Sequence, residues 1–402
     1  MRSVARNKYL RVIIAAVATS AIMHAHADNF NSLVDRMITM NPGLKSDYYA
    51  REAERESLRS AATLPDPEIE GGYMWSAGEA GNKTDITISQ SMEWPGVYGA
   101  LRREARLRSQ AIDASRQVQI NDAKETARML LVDGVYIRKC ADVMSRRIAC
   151  IDSLLEIATK GALRNEITVL DVEKLRIERL EVLSRQSEID VERARCLSAI
   201  GSFVGSSDSA KVILRAIDGY PDEILHPLAL YSANSSAMPE IEQSRILAEA
   251  SRARSDAERR RALPSLTAGY HFAHEDGTPF HGFVAGLSIP VFSSRGKAEA
   301  ARLESLAEQA RAEQQAIEQK ASIDALHAEA MNMQQRYESY RKVLEGSSTP
   351  RLLLRALDGG QISMMTYLIE SASYTDAILR MLEIQYRYQQ SMARIARYAP
   401  QY

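Results

Sequence analysis

Four short stretches of the chain alternate apolar and polar residues with the period of a β-strand, set among long segments of helical character. In Glu68–Trp75, Ile69, Tyr73 and Trp75 share one face and Glu68 and Glu70 the other. In Asp85–Trp94, Ile86, Ile88, Met92 and Trp94 oppose Thr87, Ser89, Ser91 and Glu93. In Ser265–His274, Leu266, Ala268, Tyr270 and Phe272 oppose Ser265, Thr267 and His271. In Phe283–Phe292, Phe283, Ala285, Leu287, Ile289 and Val291 oppose Gly286 and Ser288. Each run is about ten residues long, which suits a tilted membrane-spanning strand. Polar, glycine-rich segments from Ser76 to Lys83 and from Glu275 to Gly282 predict turns, so the strands form two hairpins. Tyr73, Trp75, Trp94, Tyr270, Phe272 and Phe292 fall near strand ends, as the aromatic girdle of a membrane barrel does.

The remainder is helical. Arg102 to Lys160 contains no proline and a single glycine, Gly134, and predicts a helix on the order of 90 Å long. Lys297 to Leu344 has neither breaker. Such lengths point to coiled coils rather than a globular bundle. Leu175, Val182 and Ile189 recur every seventh residue, and Leu170, Ile177 and Val191 follow the same heptad spacing. Shorter helices are predicted over Asn31–Ala62, Thr168–Ser198, Pro239–Ala262 and Ser363–Tyr398.

The order of these elements repeats. Leu64-Pro65-Asp66-Pro67-Glu68 and Leu263-Pro264-Ser265 each end a charged helical run and open a strand. Ile88–Val97 and Leu287–Gly296 each end a strand and open a long helix. The expected domains are therefore a leader over residues 1–27, a first helix–hairpin–helix repeat over 28–200, a linker over 201–238 and a second repeat over 239–402. The linker contains Pro221, Pro227 and several Gly and Ser residues.

The leader changes the picture of where the chain works. Arg2, Arg6, Lys8 and Arg11 form a basic stretch, Val12 to Met23 a short apolar one, and Ala25-His26-Ala27 a small-x-small cleavage site. Together they read as a secretory signal cut after Ala27. No other stretch approaches the ~20 apolar residues of a transmembrane helix, so a membrane-spanning form must be a closed barrel. Four strands cannot close a barrel with a lumen, and bare strand edges are excluded from lipid. Several chains must therefore pool their strands.

Composition removes other possibilities. Lys+Arg and Asp+Glu nearly cancel at 51 against 52, so no bulk charge points to nucleic acid or to an anionic membrane surface as a partner. Cys140, Cys150 and Cys196 are expected to be reduced, packed thiols. His271, His274 and His281 are polar residues near a loop rather than a metal site; the first two point to opposite faces of a strand. No phosphate-binding glycine loop, zinc-type spacing or nucleophile elbow is present, so neither a cofactor nor enzymatic activity is expected.

The ordered duplication closely resembles the TolC family of outer-membrane efflux proteins. Leu64-Pro65-Asp66-Pro67-Glu68, the Gln90–Gly96 junction, Ile289-Pro290-Val291-Phe292 and two helix turns carry that resemblance over nearly the whole mature chain. The short halves look most like the metal- and solvent-efflux branch, the Cus- and Czc-type components. No Cys follows the leader closely, so no lipid attachment is expected and anchorage rests on the barrel. The resemblance implies a mainly helical fold with membrane β-structure: a homotrimer with a periplasmic α-barrel and a shared twelve-strand transmembrane β-barrel. It also implies a periplasmic adaptor (membrane fusion) protein, an inner-membrane pump and outer-membrane lipid as partners, and no chemistry of its own.

The two helix turns would form the periplasmic tip. The first runs from Lys160 to Asp171 and the second from Leu357 to Tyr367. Gly161 and Gly360 suit helix ends, and Thr168 and Ser363 suit the caps of the next helices. Family tips contact the adaptor through such turns, which implicates Gly161, Ile167, Thr168, Leu170, Gly360, Ile362, Ser363 and Tyr367. Glu166, Asp171 and Asp358 are the acidic residues that could ring a narrow, cation-favouring pore there. An adaptor itself would need compact β-domains around one helical hairpin, and a structural coiled coil leaves the strand hairpins unexplained.

Overall fold

The computed structural model describes residues 26–75, 81–164, 167–275, 277–290 and 294–399. In chain order they form α1 (His26–Met40), α2 (Pro42–Ala61), β1 (Glu68–Met74), β2 (Lys83–Met92), α3 (Pro95–Ala162), α4 (Val169–Val204) and α5 (Ser207–Ala216). There follow α6 (Leu228–Asn234), α7 (Pro239–Arg260), β3 (Ser265–Glu275), β4 (Thr278–Ser288), α8 (Ser294–Glu345), α9 (Thr349–Asp358) and α10 (Met364–Ile395). The chain divides into two compact units. One holds the described residues up to Pro42 with Ala123–His226 and Leu326–Arg397; the other holds Gly43–Asp122, Pro227–Ala325 and the residues from Tyr398.

The structure departs from the sequence reading in the element plan as well as at several element ends, among them β4, which stops at Ser288 where the alternation predicts Phe292. The helix expected over 31–62 is broken at Asn41, because Pro42 has no N–H to continue the ladder and opens a new helix instead. The stretch expected as a linker is partly helical: α4 runs through Gly201 to Val204, and α5 folds back against it. The reversal is made by Gly205 at φ 72° and by Ser206, whose hydroxyl accepts from the N–H of Ser209. The second hairpin turn is far tighter than expected. Glu275 pairs directly with Thr278, and Gly277 at φ 79° supplies the left-handed residue of that two-residue loop. Finally, α9 is an added helix between the long α8 and the second helix turn, set off by Gly346-Ser347-Ser348 and started at Thr349-Pro350.

The first unit has two apolar clusters. In one, Phe30 and Met37 of α1 pack with Leu131 and Val135 of α3, Ile200 of α4 and Ile213 of α5. Gly134 of α3 lies against Leu214, Ile217 and Cys196, where an added Cβ would come within 2.9 Å of the Leu214 methyl. In the other cluster, Met144, Ile151 and Ala158 recur at heptad spacing along α3 and meet Val172, Leu175 and Val182 of α4 and Leu368 of α10. One predicted heptad stripe of α4 is thus its packed seam. The second stripe, Leu170, Ile177 and Val191, is exposed.

The second unit carries the sheet. Its order is β1-β2-β3-β4, antiparallel throughout, so the two hairpins join through the β2–β3 pairing. At its helical end, Val97 and Leu101 of α3 pack with Ala257 of α7 and Ala62.

Candidate channel elements: the sheet and the paired helix turns

The register assigns every strand residue to one of two faces. Ile69, Ile88, Tyr270 and Phe283 lie in one cross-strand row, and Met92, Leu266 and Leu287 in another on the same face. Glu70, Thr87, His271 and Gly282 form a row on the opposite face, as do Ser91, Thr267 and Gly286. The apolar face is the open one: Phe283 is 94% exposed, Trp75 75% and Ile69 71%. Polar groups on the other face bond to one another across strands. Thr87 Oγ1 meets His271 Nδ1 at 2.8 Å and Ser91 Oγ meets Thr267 Oγ1 at 3.0 Å. That face is also closely fitted, since a Cβ at Gly72 would lie 2.5 Å from Asp85 Oδ1 and one at Gly269 2.7 Å from the Ile88 carbonyl. A sheet with its apolar face open and its polar face knitted together is the reverse of a soluble half-buried sheet.

The aromatic residues distribute unevenly. Tyr73 and Trp75 lie at the hairpin end of β1, with ring centroids 6.3 Å apart. Trp94 stands just beyond β2 at the helical end and is exposed. Tyr270 stands at mid-strand rather than near an end, 6.2 Å from the Phe283 ring, and its hydroxyl bonds His281 Nδ1. Phe272 lies three residues inside β3, 5.3 Å from the His281 ring. Phe292 is outside the described residues. The strands place His271 on the polar face and His274 and His281 on the apolar one. Sequence reading did not single out Phe283 as an interfacial residue, although its place in the alternation identifies its face.

The two helix turns both lie in the first unit and close onto one cluster. Ile167 and Ile362 both pack against the group containing Leu175, Tyr367 and Leu368. Gly161, inside the last turn of α3, is bare because Ile167 occupies the space a side chain would need: a Cβ would lie 2.7 Å from Ile167 Cδ1. Thr168 caps α4 by accepting from the N–H of Asp171 at 3.2 Å, and its hydroxyl donates to Asp171 Oδ2 at 2.7 Å. Gly360, at φ 68°, reverses the chain after α9, with the Gln361 N–H donating to the Ala356 carbonyl at 2.8 Å. Ser363 caps α10 by accepting from the N–H of Thr366 at 3.1 Å. Leu170 is exposed, as is Asp358; Asp171 is half-buried, and Glu166 lies outside the described residues. Tyr367 is buried with its hydroxyl 3.6 Å from Cys150 Sγ, and that burial raises the phenol well above its ordinary value.

Behind the turns sits a residue the sequence does not advertise. Arg147 of α3 is only 6% exposed. Its guanidinium donates to Ser371 Oγ at 2.6 Å, Glu178 Oε1 at 2.9 Å and the Leu368 carbonyl at 3.3 Å, tying α3 to α4 and α10. Nothing in Ser145-Arg146-Arg147 distinguishes it from a solvated helix face except its heptad position between Met144 and Ile151.

No described helix is long and apolar enough to cross a membrane. At the level of sequence, neither a family model nor a curated protein matches the chain. Solved structures do. A membrane protein from Pseudomonas aeruginosa superposes with a TM-score of 0.76 at 13% identity, over 95% of each chain. The Campylobacter jejuni CmeC outer membrane channel gives 0.73 at 15%, over 95% of this chain and 88% of its own. CusC gives 0.68 at 16%, over 96% of both chains. These values do not set the Cus-type branch apart from the others. The sheet with its apolar face exposed, the long helices and the two capped turns together make up a fold shared with these solved outer-membrane channels.

Proposed function

We propose that this chain is the outer-membrane channel component of a tripartite efflux or export system. It is a passive conduit that performs no chemistry and works in the outer membrane of a Gram-negative bacterium, reaching into the periplasm. The observation that carries this reading is the sheet: one face apolar and open, the other polar and internally bonded, with the outer edges of β1 and β4 unpaired among the described residues. Such edges need further copies of the chain before lipid can surround them. Three copies would give twelve strands, enough for a lumen. The exposed heptad stripe of Leu170, Ile177 and Val191 supports the same reading, because an unfilled seam on a long helix is the surface a neighbouring helix covers.

In this reading the capped turns at Gly161–Thr168 and Gly360–Ser363 are the periplasmic tip, where an adaptor coupled to an inner-membrane pump would dock. Asp171 and Asp358, repeated in each copy, would favour cations at that end. Planar-bilayer recordings on the full chain test it. Discrete cation-selective conductance, reduced in selectivity by Asp171→Ala or Asp358→Ala, is the expected result. Conductance indifferent to both substitutions would leave a channel whose selectivity lies elsewhere. A monomeric protein that never enters the outer membrane would overturn the reading.

A further inference from the structure

The helical end of the sheet carries more cations than anions, and five of those cations are left free. Arg102, Arg103 and Arg106 lie in the third and fourth turns of α3, Arg259 closes α7, and Lys297 lies in the first turn of α8. All five are exposed, and none has an ion-pair partner among the described residues. The nearby acids are largely spoken for. Glu104 is paired with Arg108 and Arg254, Glu258 with Arg254 and Arg261, Glu93 with Arg261, and Glu299 with Arg302. Asp66 and Glu68 at the start of β1, Asp256 and Glu304 are the exceptions.

The junctions are gathered in space as well as in sequence. Arg260 donates to the Gly96 carbonyl at 2.9 Å, which sets the end of α7 beside the start of α3. Lys297 lines the same cleft of about 540 Å³ as Arg261, together with Glu93, Glu258 and Glu304. The hairpin end differs: Lys83 there is paired with Glu275 at 3.4 Å. The basic rim also adjoins exposed Trp94, two residues beyond Met92 of the apolar face, and exposed Leu263. Tryptophan beside an apolar band marks headgroup depth in a bilayer, and long Arg and Lys side chains reach outward to the same depth.

We propose that this rim is an interaction surface for anionic phospholipid headgroups of the leaflet bordering the helical end of the sheet. The inference rests on the channel reading above. A free cation near an anionic lipid surface contributes about fivefold in partitioning. Several acting together should therefore enrich anionic over zwitterionic lipid around the protein by about tenfold or more.

The test uses the full chain, assembled in vesicles of phosphatidylethanolamine and phosphatidylglycerol, extracted mildly and analysed for co-purifying lipid, with conductance measured in parallel. About tenfold enrichment of phosphatidylglycerol is expected. It should fall towards parity in about 1 M salt, where the screening length is about 3 Å. It should also fall in the Arg102→Gln/Arg103→Gln/Arg259→Gln/Lys297→Gln variant and persist in the variant with lysine at the three arginine positions. The salt dependence of the wild type stands alone if the glutamine variant does not fold. A conducting protein without enrichment would overturn the proposal and leave the channel intact. Enrichment abolished by inorganic phosphate but not by chloride at equal ionic strength would assign the rim to free anions and overturn the lipid assignment. A protein that neither inserts nor conducts would overturn both.

Discussion

Arg147 shows how much of the packing in the first unit depends on one side chain. Its charge is withdrawn from water and matched by Glu178 with two further acceptors. Removing one member of a fully buried pair costs about 3–5 kcal/mol; Glu178 keeps part of its surface in water, so the cost here lies at or just below the lower end of that range. Arg147→Ala should therefore lower denaturant stability by that amount, and Arg147→Lys should recover only part of it, since an ammonium cannot reach three acceptors from one planar fork. Lys139 gives the opposite lesson. It is largely buried beneath Tyr220, 4.4 Å from the ring centroid, with Gln385 Oε1 at 2.9 Å, and burial lowers its pKa to about 8. Between that value and the ordinary lysine range the unfolded chain holds the extra proton, so Lys139 costs stability most below pH 8, by up to about 3 kcal/mol. Raising the pH from 8 towards 10 should relieve that cost, and Lys139→Met should flatten the rise in equilibrium unfolding curves. Neither residue is legible from the sequence, where both sit in ordinary mixed-charge helix. What separates them from their neighbours is depth, which only packing defines.

Elements were far more legible than residues, because periodicity is a property of many positions at once. The strand faces followed directly from alternation, and adjacent residues of β4 make the point testable. Phe283 belongs to the open apolar face and Val284 to the polar one. In the proposed barrel, Phe283→Arg should cost about 2–4 kcal/mol of stability, as a cation at mid-bilayer does. Val284→Arg should be much milder, and heat-modifiable mobility of the assembled oligomer reads both. Thr168→Ala and Ser363→Ala should each cost about 1 kcal/mol through the lost cap, seen as faster amide exchange in the first turns of α4 and α10. The sequence misled where a local signal outweighed the period. Asn41-Pro42 stops a helix whose apolar pattern continues beyond it. The glycines and prolines of 201–238 suggested a linker and concealed α5. Glu275-Asp276-Gly277-Thr278 was a compact hairpin signal hidden within a longer polar stretch.

At the scale of the whole molecule, the two heptad stripes of α4 divide the labour. The stripe through Leu175 and Val182 packs within the chain, whereas Leu170, Ile177 and Val191 are exposed and would be covered by a neighbouring helix in the proposed assembly. Ile177→Glu should therefore leave the monomer helical by circular dichroism and weaken assembly. Leu175→Glu, at a fully buried position, should unfold the first unit instead. The pairing of β2 with β3 has a consequence of another kind, in the order of events during synthesis and export. β2 ends at Met92 and its partner begins at Ser265, with the whole of 93–264 between them. In the proposed export route the first hairpin would leave the translocation machinery long before the strand that completes its inner edge exists. Contacts so distant along the chain form slowly, and until they do an apolar hairpin with two open edges is exposed to water. The interval between translating the first and second hairpins is thus the period when this protein is most prone to aggregate, and when it has most need of a chaperone that covers strand edges.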